Sequence, residues 1–306
     1  MKDKINIEPF INYGSGHSGM TSLIKDIDVN VKKIIEFFRF ILKYKIIFKG
    51  RGIEFAGLRE YTSDDDASMI DWNSTARTGK TYVKIFEHER NLDVIILLDT
   101  SSTMLFGTQK LLKTEYAAIL AGALAYSAVE VGDRAGLLMF NDNVKTFIPP
   151  NKGTLQYYKI LKSITNKKNY GGRSNLSNAL EYIIETIKHR SIIFIISDFI
   201  DPVGQWEEKL KLVGYKFDKL VGLMIRDVRD ETLPKGIGKM RIFDPVTNKR
   251  IVVDMDKYRD EFLRNVKIHE AMIEKAFLVS HGRVVKILTN EPFIKPLVTY
   301  FSRMMK

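Results

Sequence analysis

The sequence predicts an α/β protein: a doubly wound, mostly parallel sheet of Rossmann type, with helices on both faces and a β-rich segment before it. Three observations carry that expectation. From Asn91 onward, short apolar strand-like runs alternate with segments of helical period, as successive strand–helix–strand units require. Two of those runs, LDVIILLD (92–99) and SIIFIISD (191–198), are nearly all aliphatic and each ends in Asp. The chain has 306 residues, 45% hydrophobic and 28% charged, enough to bury a sizeable core and unlike a disordered or collagen-like composition.

Taken in order, residues 1–49 read as a loop and a helix. Val31 to Phe48 is apolar but interrupted by Lys32, Lys33, Arg39, Lys43 and Lys45, which predicts a packed helix rather than a span, with an interfacial helix as the alternative. Residues 50–90 mix turn residues with β-prone stretches and hold no long helical period, so they read as a small β-rich subdomain. Residues 91–306 then carry the main domain. After strand 92–99, TEYAAILAGALAYSAVEV (114–131) is an Ala-rich helix stopped by Gly132. RAGLLMF (134–140) is the next strand. Residues 143–149 form an edge strand, because Pro149 and Pro150 cannot donate to a ladder. A helix near 153–165, a polar loop at 166–174, a helix over 176–189 and the strand 191–198 follow. Trp206–Val213 reads as helix and Asp218–Ile225 as strand. Pro234, Gly236 and Gly238 with a turn at Asp244–Asn248 predict an inserted hairpin over 227–254. Helix Met255–Ser280, strand Val284–Leu288 and a closing helix from about Pro292 complete the chain.

Composition narrows the chemistry. There is no Cys, which removes disulfides, thiolate nucleophiles and cysteine-ligated zinc or iron–sulfur sites. A reducing compartment fits, and MKDKINIEPF lacks the apolar core of a secretory signal, so a cytoplasmic location is expected. The net charge is +11 and the pI about 9.5. Residues 1–50 carry +4, residues 51–202 balance, and residues 203–306 carry +7. Basic flanks make nucleic acid or acidic lipid candidate partners. No tight Lys/Arg block with interleaved aromatics occurs, so nucleic-acid binding through those flanks stands as the alternative reading and a solvated basic surface as the plainer one.

The strongest constellation is D-T-S-S-T, with Asp99, Ser101 and Thr103 at the carboxyl end of a buried strand. Ligands of open α/β sheets sit outside those strand ends, near the switch point of strand order. One charged and two neutral oxygens from one loop suit a hard divalent cation, Mg²⁺ or Mn²⁺. Asp198, ending the matching strand, offers a second carboxylate. Ser174, in the Gly171-Gly172-Arg173-Ser174 loop, offers another hydroxyl. Without a cation, two facing carboxylates repel and raise a pKa; the plainer reading is that each Asp merely caps a turn.

These residues resemble the metal-ion-dependent adhesion site of von Willebrand factor A domains. More closely, the chain is similar to the domain-of-unknown-function 58 family. The resemblance rests on FKGRGIEF (48–55), LREY (58–61), IDWNSTART (70–78), YVKIFEHER (82–90), the LLDTSSTM loop (97–104), GDRAGLLMF (132–140), FIISDF (194–199) and Leu233-Pro234, and covers roughly residues 45 to 305. It implies that Ser101 and Thr103 ligate the metal directly, Asp99 and Asp198 mostly through water, and that Ser174 stands where the family usually has Thr. Thr103 replaces a usual Ser, so both hydroxyls survive. Asp64 and Ser68 stand where Gly and Arg are usual, departures that count against carrying a family role over to the 62–72 turn and do not touch the metal site. The resemblance further implies a metal-dependent protein-binding module, a partner that supplies an Asp or Glu to the metal, and an adaptor role beside a MoxR-type AAA+ ATPase.

Rival motifs are weaker. Phosphatases of the haloacid-dehalogenase type use D-x-D after an aliphatic strand; Ser101 stands where the second carboxylate would act as acid/base, so a Mg-dependent phosphatase is the lesser alternative and no enzyme activity is expected. Gly79-Lys80-Thr81 resembles the end of a P-loop, but Ser74 occupies the position of the required Gly and a strand-like TYVKIF follows. Gly14, Gly16 and Gly19 match a dinucleotide fingerprint, yet INIEPFIN before them is a poor buried strand. Neither His88-Glu89 nor His269-Glu270 has the second His of a zinc protease.

Overall fold

A computed structural model describes residues 54–300, apart from 63–64, 88–91, 201, 203, 245–248, 294 and 298. The expected helix over Val31–Phe48 and the glycine fingerprint at 14–19 lie outside the described residues. The chain divides into two compact units, one of them Lys43–Asn91 and the other containing everything from Leu92 onward.

In the smaller unit, β1 (Glu54–Glu60) pairs antiparallel with β2 (Tyr82–Glu87). Between them lies a short helix, α1 (Trp72–Thr78), where the sequence shows no helical period. Two turns are too few for a period to show. Local chemistry makes the helix instead: the Asp71 carboxylate accepts from the N–H groups of Asn73 and Ser74, and Gly79, at φ 73°, ends it in the left-handed conformation. Gly79 therefore closes a helix rather than completing a phosphate loop.

The larger unit is built on six strands in the order β10-β7-β6-β3-β4-β5. These are β3 (Asp93–Asp99), β4 (Arg134–Phe140), β5 (Val144–Asn151), β6 (Ser191–Ser197), β7 (Lys219–Arg226) and β10 (Arg283–Leu288). All neighbours are parallel except β5, which runs antiparallel along one edge and ends in the Pro149-Pro150 pair. β3 and β6 are buried at every position, as central strands covered on both faces must be.

Helices cover both faces. Ile95, Leu97, Leu138, Phe140, Ile193, Ile195 and Met224 share one core with α4 (Leu176–Thr186), α5 (Trp206–Lys216) and α7 (Met255–Val279). On the other side α2 (Lys113–Glu130) and α3 (Thr154–Ile164) pack against each other and the strands. Thirteen of the eighteen α2 residues are buried, which explains its run of alanines: only small side chains let a helix lie this close to a sheet. A four-residue helix, α6 (Val228–Glu231), leads to a separate hairpin of β8 (Lys239–Phe243) and β9 (Arg250–Asp254). The chain leaves β3 for β4 on one side and returns to β6 on the other. The carboxyl ends of β3 and β6 thus flank the switch point, where a doubly wound sheet leaves a crevice.

Candidate metal centre

The carboxyl ends of β3 and β6 are brought level by an in-register parallel ladder, Leu98 opposite Ile196. Asp99 closes β3, and Ser197 closes β6 just before Asp198. Both aspartates are fully buried, as is Ser101. Asp99 Oδ1 accepts from the Ser101 N–H at 2.9 Å, and Oδ2 accepts from Ser174 Oγ at 2.8 Å and Ser197 Oγ at 2.6 Å. Ser101 Oγ lies 3.1 Å from Thr103 Oγ1, which donates to Asp198 Oδ1 at 3.2 Å. The structure therefore brings Asp99, Ser101, Thr103, Ser174 and Asp198 together in one hydrogen-bonded network, whose two halves are joined by the Ser101 N–H.

The loops that carry these side chains hold each other. Thr100 donates to the Phe140 carbonyl through both N–H and hydroxyl. Gly171 N–H donates to the Thr100 carbonyl and Ser102 N–H to that of Gly172, both at 2.8 Å. Asp142 accepts from the Arg173 N–H at 2.8 Å. Gly172 is at φ 81°, which favours glycine, and a Cβ there would lie 2.0 Å from Asp142 Oδ2 and displace that carboxylate from the Arg173 N–H. Phe199, next to Asp198, is a buried aromatic at φ 51°, a backbone state that costs of order 1–3 kcal/mol. Its N–H donates to Ser197 Oγ at 2.9 Å.

Sequence reasoning missed two parts of the arrangement. The first is Ser197, which binds Asp99 and fixes the Phe199 backbone; the S-D pair at the end of β6 was its signal. The second is Lys113, the opening residue of α2. Its side chain is 1% exposed, and its ammonium donates to Asp198 Oδ2 at 2.7 Å and to Asp230 Oδ2 at 2.9 Å. Asp230 in turn accepts from the Asp227 N–H, and Asp227 holds Thr108 through its N–H at 2.8 Å and its hydroxyl at 2.6 Å. One buried cation thus ties the end of β6, the start of α2 and the turn after β7.

Electrostatics follow from this geometry. Burial first, and the Asp198 charge second, push the Asp99 carboxyl up to about 6. Burial works against the Lys113 charge, but Asp198 and Asp230 outweigh it and hold the ammonium above its ordinary value. Among the described residues no group of three or more His, Asp or Glu could hold a metal, so a cation here has to use hydroxyl oxygens. The residues present fit such an ion: Ser101, Thr103 and Ser174 keep acceptor lone pairs, and the repulsion felt by Asp99 is what a cation would relieve.

Close to this centre, at the end of β7, Arg226 is buried. Its Nη2 lies 3.1 Å from His269 Nδ1, and its Nε has no partner among the described residues. Burial first, and the Arg226 charge second, hold His269 below its ordinary value; a guanidinium can only donate, so Nδ1 accepts from it.

Relatives exist by sequence and by structure. An uncharacterized protein of Mycobacterium tuberculosis strain H37Rv is 25% identical over 259 residues, 84% of this chain and 81% of that protein. An uncharacterized protein of Mycobacterium avium is 24% identical over 159 residues, 51% of this chain and 92% of that protein. Among solved structures, an aerotolerance-related membrane protein from Bacteroides fragilis overlaps 70% of this chain and all of its own at TM-score 0.48 and 16% identity. BatB from Bacteroides thetaiotaomicron covers 70% of this chain and 99% of its own at TM-score 0.46 and 18% identity. The SpRpn10 von Willebrand factor A domain covers 69% and 95% at TM-score 0.39 and 13% identity. No helix among the described residues is long and apolar enough to cross a membrane. Residues 57–272 match the family model described as protein of unknown function DUF58, and the chain belongs to that family.

Proposed function

We propose that this chain is a metal-dependent protein-binding module without catalytic activity of its own. The observation that carries the reading is the convergence of five side chains from three loops, Asp99, Ser101, Thr103, Ser174 and Asp198, at the sheet's switch point. Those residues would hold Mg²⁺ or Mn²⁺. When bound, the ion supplies a hard positive centre on which an Asp or Glu of a protein partner can close the coordination. The chain's own residues do the rest. Ser197 and Ser174 orient Asp99, Lys113 orients Asp198, and the Gly171-Gly172 turn presents Ser174. Ser101 in place of a second acid leaves Asp99 without the proton donor that phosphoryl transfer needs. Family resemblance makes a MoxR-type AAA+ ATPase the candidate partner.

The test is thermal melting of wild type and Asp99→Ala with EDTA, Mg²⁺ or Mn²⁺, paired with capture of partners from the native cell under the same conditions. The reading expects a cation-induced rise in Tm that Asp99→Ala abolishes, and a partner retained only with cation. Melting curves that coincide in EDTA and in millimolar Mg²⁺ or Mn²⁺ would overturn it.

A further inference from the structure

The excess of Lys and Arg in the carboxyl-terminal third of the sequence has no part in the metal centre, and some of it is gathered on the β8–β9 hairpin. The register pairs Lys239 with Asp254, Arg241 with Val252 and Phe243 with Arg250, so these six side chains share one face of the two-stranded ribbon. Phe243 is 51% and Val252 65% exposed, and Arg250 lies over the Phe243 ring at 6.0 Å. Lys235, Ile237 and Lys249, which flank the strands, are exposed as well. None of Lys235, Lys239, Arg241, Lys249 and Arg250 forms an ion pair with a described residue. The face's own acid, Asp254, is engaged in capping α7 through the Lys257 N–H.

The ribbon is fixed at its base. Asp256, in the first turn of α7, accepts from the Gly236 N–H at 2.7 Å and the Gly238 N–H at 3.0 Å, and the Met255 N–H donates to the Gly238 carbonyl. On the ribbon so anchored, Lys239, Arg241, Phe243, Arg250 and Val252 are all exposed.

We infer that this face of the hairpin docks on a bilayer surface that contains acidic phospholipid. Five cations without an ion pair among the described residues select a partner of negative charge. The apolar side chains select among such partners: Phe243, Val252 and Ile237 gain nothing from a phosphodiester backbone, but they gain from burial at the boundary between headgroups and acyl chains. Interfacial binding scales with both terms, apolar area and attraction to anionic lipid. A nucleic-acid surface built on a ribbon would offer stacking aromatics, and this face has one.

Vesicle co-sedimentation of the full chain tests the inference, with phosphatidylcholine alone and with roughly a third phosphatidylglycerol, an acidic surface of the kind that attracts basic segments. The wild type is expected to bind the acidic vesicles and not the neutral ones, in EDTA as in Mg²⁺, because the metal centre takes no part. Arg241→Gln with Arg250→Gln should weaken that binding by about 25-fold, about fivefold for each cation removed from an anionic surface. Phe243→Ser with Val252→Ser should weaken it at unchanged charge. All four positions are exposed, and an unchanged Tm establishes that the variants are folded. Binding to acidic vesicles that survives in the Arg241/Arg250 variant overturns the inference, because other parts of the chain then carry it. So does indifference to Phe243→Ser with Val252→Ser, and tight duplex DNA binding beside it would make the surface a polyanion site. Equal binding to both vesicle types, or to neither, overturns it outright.

Discussion

Replacing Lys113 by methionine removes one charge from the centre while nearly preserving volume, and the structure sets the size of the effect. The ammonium is buried between Asp198 and Asp230 at 2.7 and 2.9 Å, and Asp198 already shares its surroundings with Asp99. Deleting one partner of a buried pair leaves an uncompensated charge and costs about 3–5 kcal/mol. For a unit of this size about 1 kcal/mol moves Tm by roughly 2–4 °C, so the metal-free variant should melt about 6–20 °C lower than wild type. A divalent cation restores part of that loss, because it takes over the neutralisation of Asp198. Lys113→Met should therefore gain more from added Mg²⁺ than wild type does, with tenfold tighter binding adding about 1.4 kcal/mol to the gain. Differential scanning calorimetry in EDTA and across a Mg²⁺ titration measures both numbers. A loss below about 1 kcal/mol in EDTA would mean that Lys113 is not the counter-ion described above. Identical Mg²⁺ responses in the two proteins would mean that it does not share Asp198 with a cation.

Three further outcomes are expected. In EDTA, Asp99 raised to about 6 keeps its proton in the folded state where the unfolded chain has lost it, so its contribution to stability falls as pH rises from about 4 to 6, by about 3 kcal/mol. Urea melts of wild type against Asp99→Asn across that window should diverge by this amount, and parallel curves would contradict the assigned environment. Ser197→Ala leaves the Phe199 N–H without its acceptor and strips one donor from Asp99, a loss of about 1–3 kcal/mol; a Tm equal to that of wild type would show that the backbone at φ 51° needs no such anchor. Gly214→Ala places a Cβ 1.8 Å from the Ser280 carbonyl oxygen, where backbone meets backbone and α5 has to move off α7, so destabilisation by about 1–3 kcal/mol or more is expected; equal unfolding midpoints would contradict the packing of these two helices.

The legibility of this fold in its sequence follows from what a pattern can encode. LDVIILLD and SIIFIISD announce themselves because strands buried on both faces need an unbroken aliphatic run, and the strands they form, Asp93–Asp99 and Ser191–Ser197, are buried throughout. Pro149-Pro150 marks the antiparallel edge because a missing N–H is tolerated only there. The short helix Trp72–Thr78 leaves no periodic trace, since one cap at each end rather than an apolar stripe makes it. The site divides in the same way. Asp99, Ser101 and Thr103 are close in sequence and visible as a motif, and Asp198 is visible through the symmetry of the two strands. Lys113 is not, because a lysine at the start of a helix reads as a solvated cation, and nothing in its neighbours says that Asp198, 85 residues on, and Asp230, 117 residues on, will close over it. A motif records which oxygens are supplied; the net charge a cation meets is fixed only when distant elements pack. Cation affinity here is therefore governed as much by Lys113 and Asp230 as by the D-T-S-S-T loop, and family members that keep the loop but change either partner should differ in how tightly they bind Mg²⁺.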